Sequence, residues 1–113
     1  MKKFMIRADD LGFSKAVNYG IFETVKNGLI KNIGFMVNMH ASIHGYELIK
    51  GYDVCLGQHT NVCVGKPISD PHKISSLVNE NGEFKSSREY RQTKEDFVVL
   101  EEAILEVEAQ YER

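Results

Sequence analysis

The stretch Phe4 to Ser14, FMIRADDLGFS, constrains this chain more than any other. A short run of apolar strand formers meets two adjacent carboxylates, Asp9 and Asp10, followed by Gly12 and by Ser14, a residue type suited to cap a helix. The pattern predicts a strand over about residues 3–8, an acidic loop, then a helix. In parallel α/β proteins, ligands and catalytic groups gather on the loops after the carboxyl ends of strands. The active site is therefore expected at Asp9 and Asp10.

The alternation continues downstream. Val17, Ile21 and Val25 fall at i, i+4 and i+8, one apolar stripe on a helix over 14–27, and Gly28 is expected to end that helix in a left-handed cap. A second strand is predicted over 33–38, with Ile33, Phe35, Met36 and Val37 buried on both faces. A short helix over 43–50, stopped by Gly51, leads to a third strand, Asp53 to Asn61, DVCLGQHTN, whose polar residues collect at its carboxyl end. The order is βαβαβ with connections long enough for a parallel sheet, so the fold class is α/β.

From residue 62 to 92 the periodicity stops, and Pro67, Pro71, Gly82 and several serines predict a long surface loop with a tight turn at Asn81-Gly82. Thr93 is expected to cap an amphipathic helix over 93–112. Phe97, Leu100, Ile104, Val107 and Tyr111 would form its buried seam, leaving the acidic faces in water. There are no internal repeats or low-complexity segments.

Composition narrows the functions. A chain of 113 residues supports one domain, here 1–113, with a modest core. Its 42% hydrophobic and 27% charged residues are those of an ordinary globular protein, and a net charge of −2 offers no field for nucleic acid or anionic lipid. No apolar run approaches the ~20 residues of a membrane span. Met1-Lys2-Lys3 leads straight into the first strand without a signal peptide's cleavage region, so a cytoplasmic location is expected. The two cysteines, Cys55 and Cys63, form no CxxC pair and are expected to be reduced and buried in or beside a strand.

Two adjacent carboxylates at a strand end can divide labour, because successive side chains point in different directions. One ligates a divalent ion while the other serves as a general base. Taken alone, the pair serves equally well to cap the helix or form an Asx turn. His59 tips the weighing. It lies at the carboxyl end of the third strand, the same sheet edge as Asp10, and an imidazole with a carboxylate makes two of the three protein ligands of an open zinc site. His40, His44 and His72 are read as surface residues. Of these, His40 follows the second strand and is the one able to approach the site.

At these residues the chain resembles the YdjC-like carbohydrate deacetylases, which include the chitooligosaccharide deacetylases. The resemblance runs through ADDLGFS, VNYGIFETVKNGLI, FMVN, GQHTNVCVGKPI, SSLVNENGEF and LEVEAQYER, in that order. It implies a (β/α) barrel, of which this chain resembles the amino-terminal part. It also implies an acetylated amino-sugar substrate, from which the N-acetyl group is removed with a divalent ion, magnesium or zinc. Carried over residue by residue, Asp9 becomes the general base and Asp10 and His59 metal ligands. A third ligand is expected from a histidine-rich segment beyond Arg113. A (β/α) barrel takes about 250 residues, so a chain of this length is expected to leave its sheet edge open and to associate as a homo-oligomer.

Two other readings are carried forward. One is a non-catalytic or oligomerising half-barrel remnant. The other is a receiver-like signalling domain phosphorylated at Asp53, which fails on position because Asp53 opens the third strand rather than ending it.

Overall fold

Three short strands, β1 (Arg7–Leu11), β2 (Asn32–Phe35) and β3 (Cys55–Gln58), pair in parallel in the order β1-β2-β3. The coordinates are a computed structural model describing residues 1–113, which divide into two compact units, residues 1–59 and 60–113. No helix is long and apolar enough to cross a membrane.

In the first unit, α1 (Lys15–Asn27) and α2 (Ser42–Ile49) connect the strands. Ser14 caps α1 as expected, its hydroxyl accepting from Val17 N at 3.2 Å. Ile21 and Val25 from the anticipated stripe are buried with Leu11, Ile33 and Ile49, and Val17 packs at the edge of that cluster. Each such side chain contributes about 1.5–3 kcal/mol by leaving water. This core fixes the helices beneath the sheet and leaves the carboxyl ends of the strands to carry polar residues.

Several boundaries differ from the expectation. The first strand begins at Arg7, and Phe4, Met5 and Ile6 are exposed rather than strand. Asp9 and Asp10 consequently lie inside β1 and not on a loop after it. β2 ends at Phe35, with Met36 buried but Phe35 and Val37 only half-buried. Gly28 ends α1 in extended backbone (φ −123°), not a left-handed cap; a Cβ there would strike the Thr24 carbonyl. Cys55 and Cys63 are free thiols but exposed, because β3 is a sheet-edge strand and Cys63 lies on an open turn.

The second unit has more order than residues 62–92 suggest. Ile74, Leu77, Val78 and Phe84 form an apolar cluster, supported by Val62, Val98 and Ala103. The anticipated turn is present: Gly82 N donates to Asn79 O at 2.9 Å, Gly82 has φ +70°, and Val78 bridges Phe84 across it. A short helix, α3 (Ser87–Gln92), starts from a reciprocal capping box between Ser86 and Glu89. Thr93 closes α3 instead of opening the next helix, which is α4 (Leu100–Glu112).

The orientation of α4 reverses the expectation. Leu100, Ile104 and Tyr111 are exposed, whereas Glu106 and Gln110 are fully buried. Glu102, Glu106 and Gln110, spaced i, i+4 and i+8, face the loop and accept its backbone N–H groups. Ser76 N donates to Glu102 at 2.7 Å, Ile68 N and Ser69 N to Glu106 at 3.0 and 2.9 Å, and Asn61 N to Gln110 at 3.1 Å. Gln110 Nε2 donates in turn to Asn61 O and to Glu106, both at 2.7 Å. A loop brought against a helix must have its backbone donors satisfied. Here the helix supplies the acceptors.

Candidate active site

The carboxylates of Asp9 and Asp10 converge on one imidazole because β1 is bulged. Ala8 pairs with Ile33 and Leu11 with Phe35, so two residues of β1 stand opposite the single Gly34 of β2. In a regular strand, neighbours point to opposite faces. The extra residue breaks that alternation, and Asp10 adopts the left-handed region (φ +72°), which Asp tolerates better than most residues. As a result His59 Nδ1 lies 3.3 Å from Asp10 Oδ1 and 3.8 Å from Asp9 Oδ1.

His59 is placed from the other side of the sheet. Its N–H continues the β2–β3 ladder, donating to Phe35 O at 2.9 Å just past the end of β3. Asp10 N donates to its Nδ1 at 3.3 Å, a long bond. The ring is about one-third exposed and the two carboxylates about half, so the cluster opens to solvent.

Residues not singled out in the sequence complete the site. Arg7 Nε donates to Asp9 Oδ1 at 2.6 Å. Gly34 leaves the space for that pair: a Cβ there would collide with Asp9 Oδ1 and come within 2.8 Å of Arg7 Nη2. Asn18, fully buried, accepts from Gly12 N at 2.7 Å, donates to Ala41 O at 2.9 Å and lies 3.0 Å from His44 Nδ1. It thereby ties the turn after β1 to the start of α2. Gly12 (φ +102°) is the third residue of the turn closed by Phe13 N donating to Asp10 O, and its missing Cβ lets Met36 O approach.

The remaining histidines stay outside the cluster. His40 is exposed, His44 packs edge-on against Tyr19, and His72 is exposed beside the 3-10 turn Pro71–Lys73. Asp53 precedes β3 and lies 4.0 Å from Lys31, at the opposite end of the strand from His59. That position gives the receiver-like reading no support. No group of three or more His, Cys, Asp or Glu side chains assembles a complete metal cage.

A parallel three-stranded α/β sheet with two carboxylates and an imidazole gathered toward its carboxyl end has the architecture of an α/β protein with a ligand site at the strand ends. Comparison with known proteins narrows the class. Residues 3–113 match the family of YdjC-like proteins. A carbohydrate deacetylase of Geobacillus stearothermophilus is 43% identical over 81 residues, 71% of this chain and 32% of that protein. Another, of Halalkalibacterium halodurans, is 33% identical over 112 residues, 98% of this chain and 46% of that protein. In structure, the chain is similar to an Enterococcus faecalis protein described as a candidate cellobiose-phosphate cleavage protein. The TM-score is 0.83 at 28% identity, over 94% of this chain and 41% of the other. This chain belongs to the YdjC-like family, among whose members are proteins named carbohydrate deacetylases. It spans about a third to just under half the length of these curated relatives.

Proposed function

We propose that this chain carries part of a hydrolase site that removes N-acetyl groups from acetylated amino sugars, set at the strand ends of a partial (β/α) barrel. The observation that carries the reading is the convergence of Asp9 and Asp10 on His59 Nδ1 at 3.8 and 3.3 Å. The names of the relatives supply the substrate class, carbohydrates. The barrel reading is supported by the parallel sheet and its βαβαβ order.

The donor set suits a divalent ion. Two donors sharing a tetrahedral ion at ~2.0–2.1 Å stand about 3.3 Å apart, the separation of Asp10 Oδ1 and His59 Nδ1. Asp10 and His59 would hold the ion, which when bound supplies Lewis acidity toward an amide carbonyl. Two protein donors are one short of the usual catalytic zinc set, and suit magnesium with its retained waters as well. A further donor from a second copy of this chain would complete a zinc set. We therefore include self-association, through the open β1 and β3 sheet edges, in the proposal. Light scattering is expected to give a mass above that of the monomer, and a monomer would remove this part.

Asp9 acts on the proton. As water adds to the amide carbon, Asp9 accepts its proton, and the same proton passes to the departing amine as the C–N bond breaks, giving acetate and a free amino sugar. The test is acetate release from N-acetylglucosamine oligomers by the protein saturated with magnesium or zinc. Release should depend on the ion and fall about 10²–10⁴-fold in Asp9→Asn. Release undiminished in Asp9→Asn would overturn the reading, and so would equal inactivity of this chain and of a longer form that continues past Arg113; inactivity of this chain alone fits a part-site that needs further donors.

A further inference from the structure

We propose that Arg7 is a positioning residue for this site, whose guanidinium keeps the Asp9 carboxylate out of the ion's coordination and reserves it for proton transfer. The inference rests on the reading of Asp10 and His59 as metal ligands and explains how two like carboxylates come to do different work. Both lie within 4 Å of the same imidazole nitrogen. Nothing in their distances to His59 alone would prevent both from closing on a cation, since a divalent ion attracts each of them equally in kind.

Arg7 breaks that equivalence. Arg7 and Asp9 are two apart on β1, and Arg7 Nε donates to Asp9 Oδ1 at 2.6 Å, the oxygen that faces His59. Asp10 has no such cation; its Oδ1 is 3.3 Å from His59, the shorter of the two approaches. A charge-assisted bond of this length is stronger than a neutral one and occupies the oxygen nearest the imidazole. Oδ2 of Asp9 is left to take the proton. Gly34 belongs to the same arrangement, because a side chain at 34 would displace both the guanidinium and the carboxylate it holds.

The test uses cobalt(II) alone as a probe, read by its visible absorption, with the chain as it stands. Arg7→Met removes the cation and keeps much of the bulk. It should release Asp9 to the ion, tighten cobalt binding about fivefold and change the absorption bands, the fivefold change corresponding to the strength of a half-exposed ion pair. Arg7→Lys should keep the parental affinity and spectrum. The double variant Arg7→Met/Asp9→Asn should return both to parental values, an outcome that a loss of folding would not produce. Turnover should fall in Arg7→Met with little change in KM, since the base and not the binding surface is altered. Cobalt affinity in Arg7→Met within about twofold of the parent, with an unchanged spectrum, would overturn the inference. If instead Asp10→Asn and His59→Ala both left cobalt binding intact, the metal reading itself would fail, and this inference with it.

Discussion

The two units of this chain bury their helices by different means. In residues 1–59 the helices present Ile21, Val25 and Ile49 to Leu11 and Ile33, Asn18 is buried with its amide hydrogen-bonded to Gly12 N and Ala41 O, and Asp9, Asp10 and His59 meet toward the strand ends. In residues 60–113 the buried face of α4 is Glu106 and Gln110, with Glu102 at its edge, and apolar Leu100 and Ile104 face outward. The first arrangement draws its stability from apolar area. The second keeps an apolar cluster around Ile74, Leu77, Val78 and Phe84, which Ala103 of α4 meets, and adds to it the acceptors that the loop's backbone donors need. An apolar core tolerates a smaller side chain at a graded cost, whereas a buried polar ladder fails where one rung is lost.

Substitution separates the two. Glu106→Leu strands the N–H groups of Ile68 and Ser69 and removes a partner of Gln110, and should cost about 3–5 kcal/mol, read as a lowered urea midpoint with exchange protection lost first in residues 60–113. Ile33→Ala, at a fully buried position beneath the sheet, should cost about 2–5 kcal/mol and loosen residues 1–59 first. If both variants lost protection uniformly, the two regions would be one cooperative unit and the contrast would dissolve. Gly12→Ala forces a side chain into φ +102° and against Met36 O, and should cost about 1–3 kcal/mol while weakening the site more than the core.

Acid should distinguish the units with a smaller effect. Hydrogen bonds from the Ser76 hydroxyl and backbone hold the Glu102 carboxyl below its ordinary value of 4.5, and Ser86 does the same for Glu89. A depressed folded value means that these groups stabilise the fold above about pH 4.5, and that this contribution is lost as pH falls through the lower folded values. Residues 60–113 should therefore lose protection on acidification below pH 4.5, and Glu102→Gln, which keeps an acceptor but does not titrate, should soften that dependence. Exchange measured across this range in both proteins checks it. The smallest effect is expected from Lys50→Ala, which deletes an exposed ion pair with Glu47 and should leave the urea midpoint unchanged.

The sequence made the βαβαβ order readable because each element's burial follows its own periodicity: Ile21 and Val25 inward on α1, Ile33 inward on β2. His59 was readable as the residue closing β3. The bulge was not, because register is a property of two strands, and nothing in ADDLG alone says that Asp9 and Asp10 will share a single partner, Gly34. The face of α4 was not readable for a related reason. Leu100 and Ile104 recur at the same helical period as Glu102 and Glu106, so periodicity finds the helix without choosing its buried side. That choice was made by the backbone of residues 61–76, whose need for acceptors no hydrophobic pattern records. Arg7 was hidden in the same way, since its role depends on the space that Gly34 leaves.

On the proposed function, Asp10 and His59 form the metal-binding edge of the site. The most direct measurement is a zinc titration followed through the imidazole nitrogen resonances of the four histidines. The expected result is a shift of His59 Nδ1 that is abolished in Asp10→Asn, with His40, His44 and His72 unmoved. Shifts at those three with His59 silent, or a His59 shift that persists unchanged in Asp10→Asn, would contradict it.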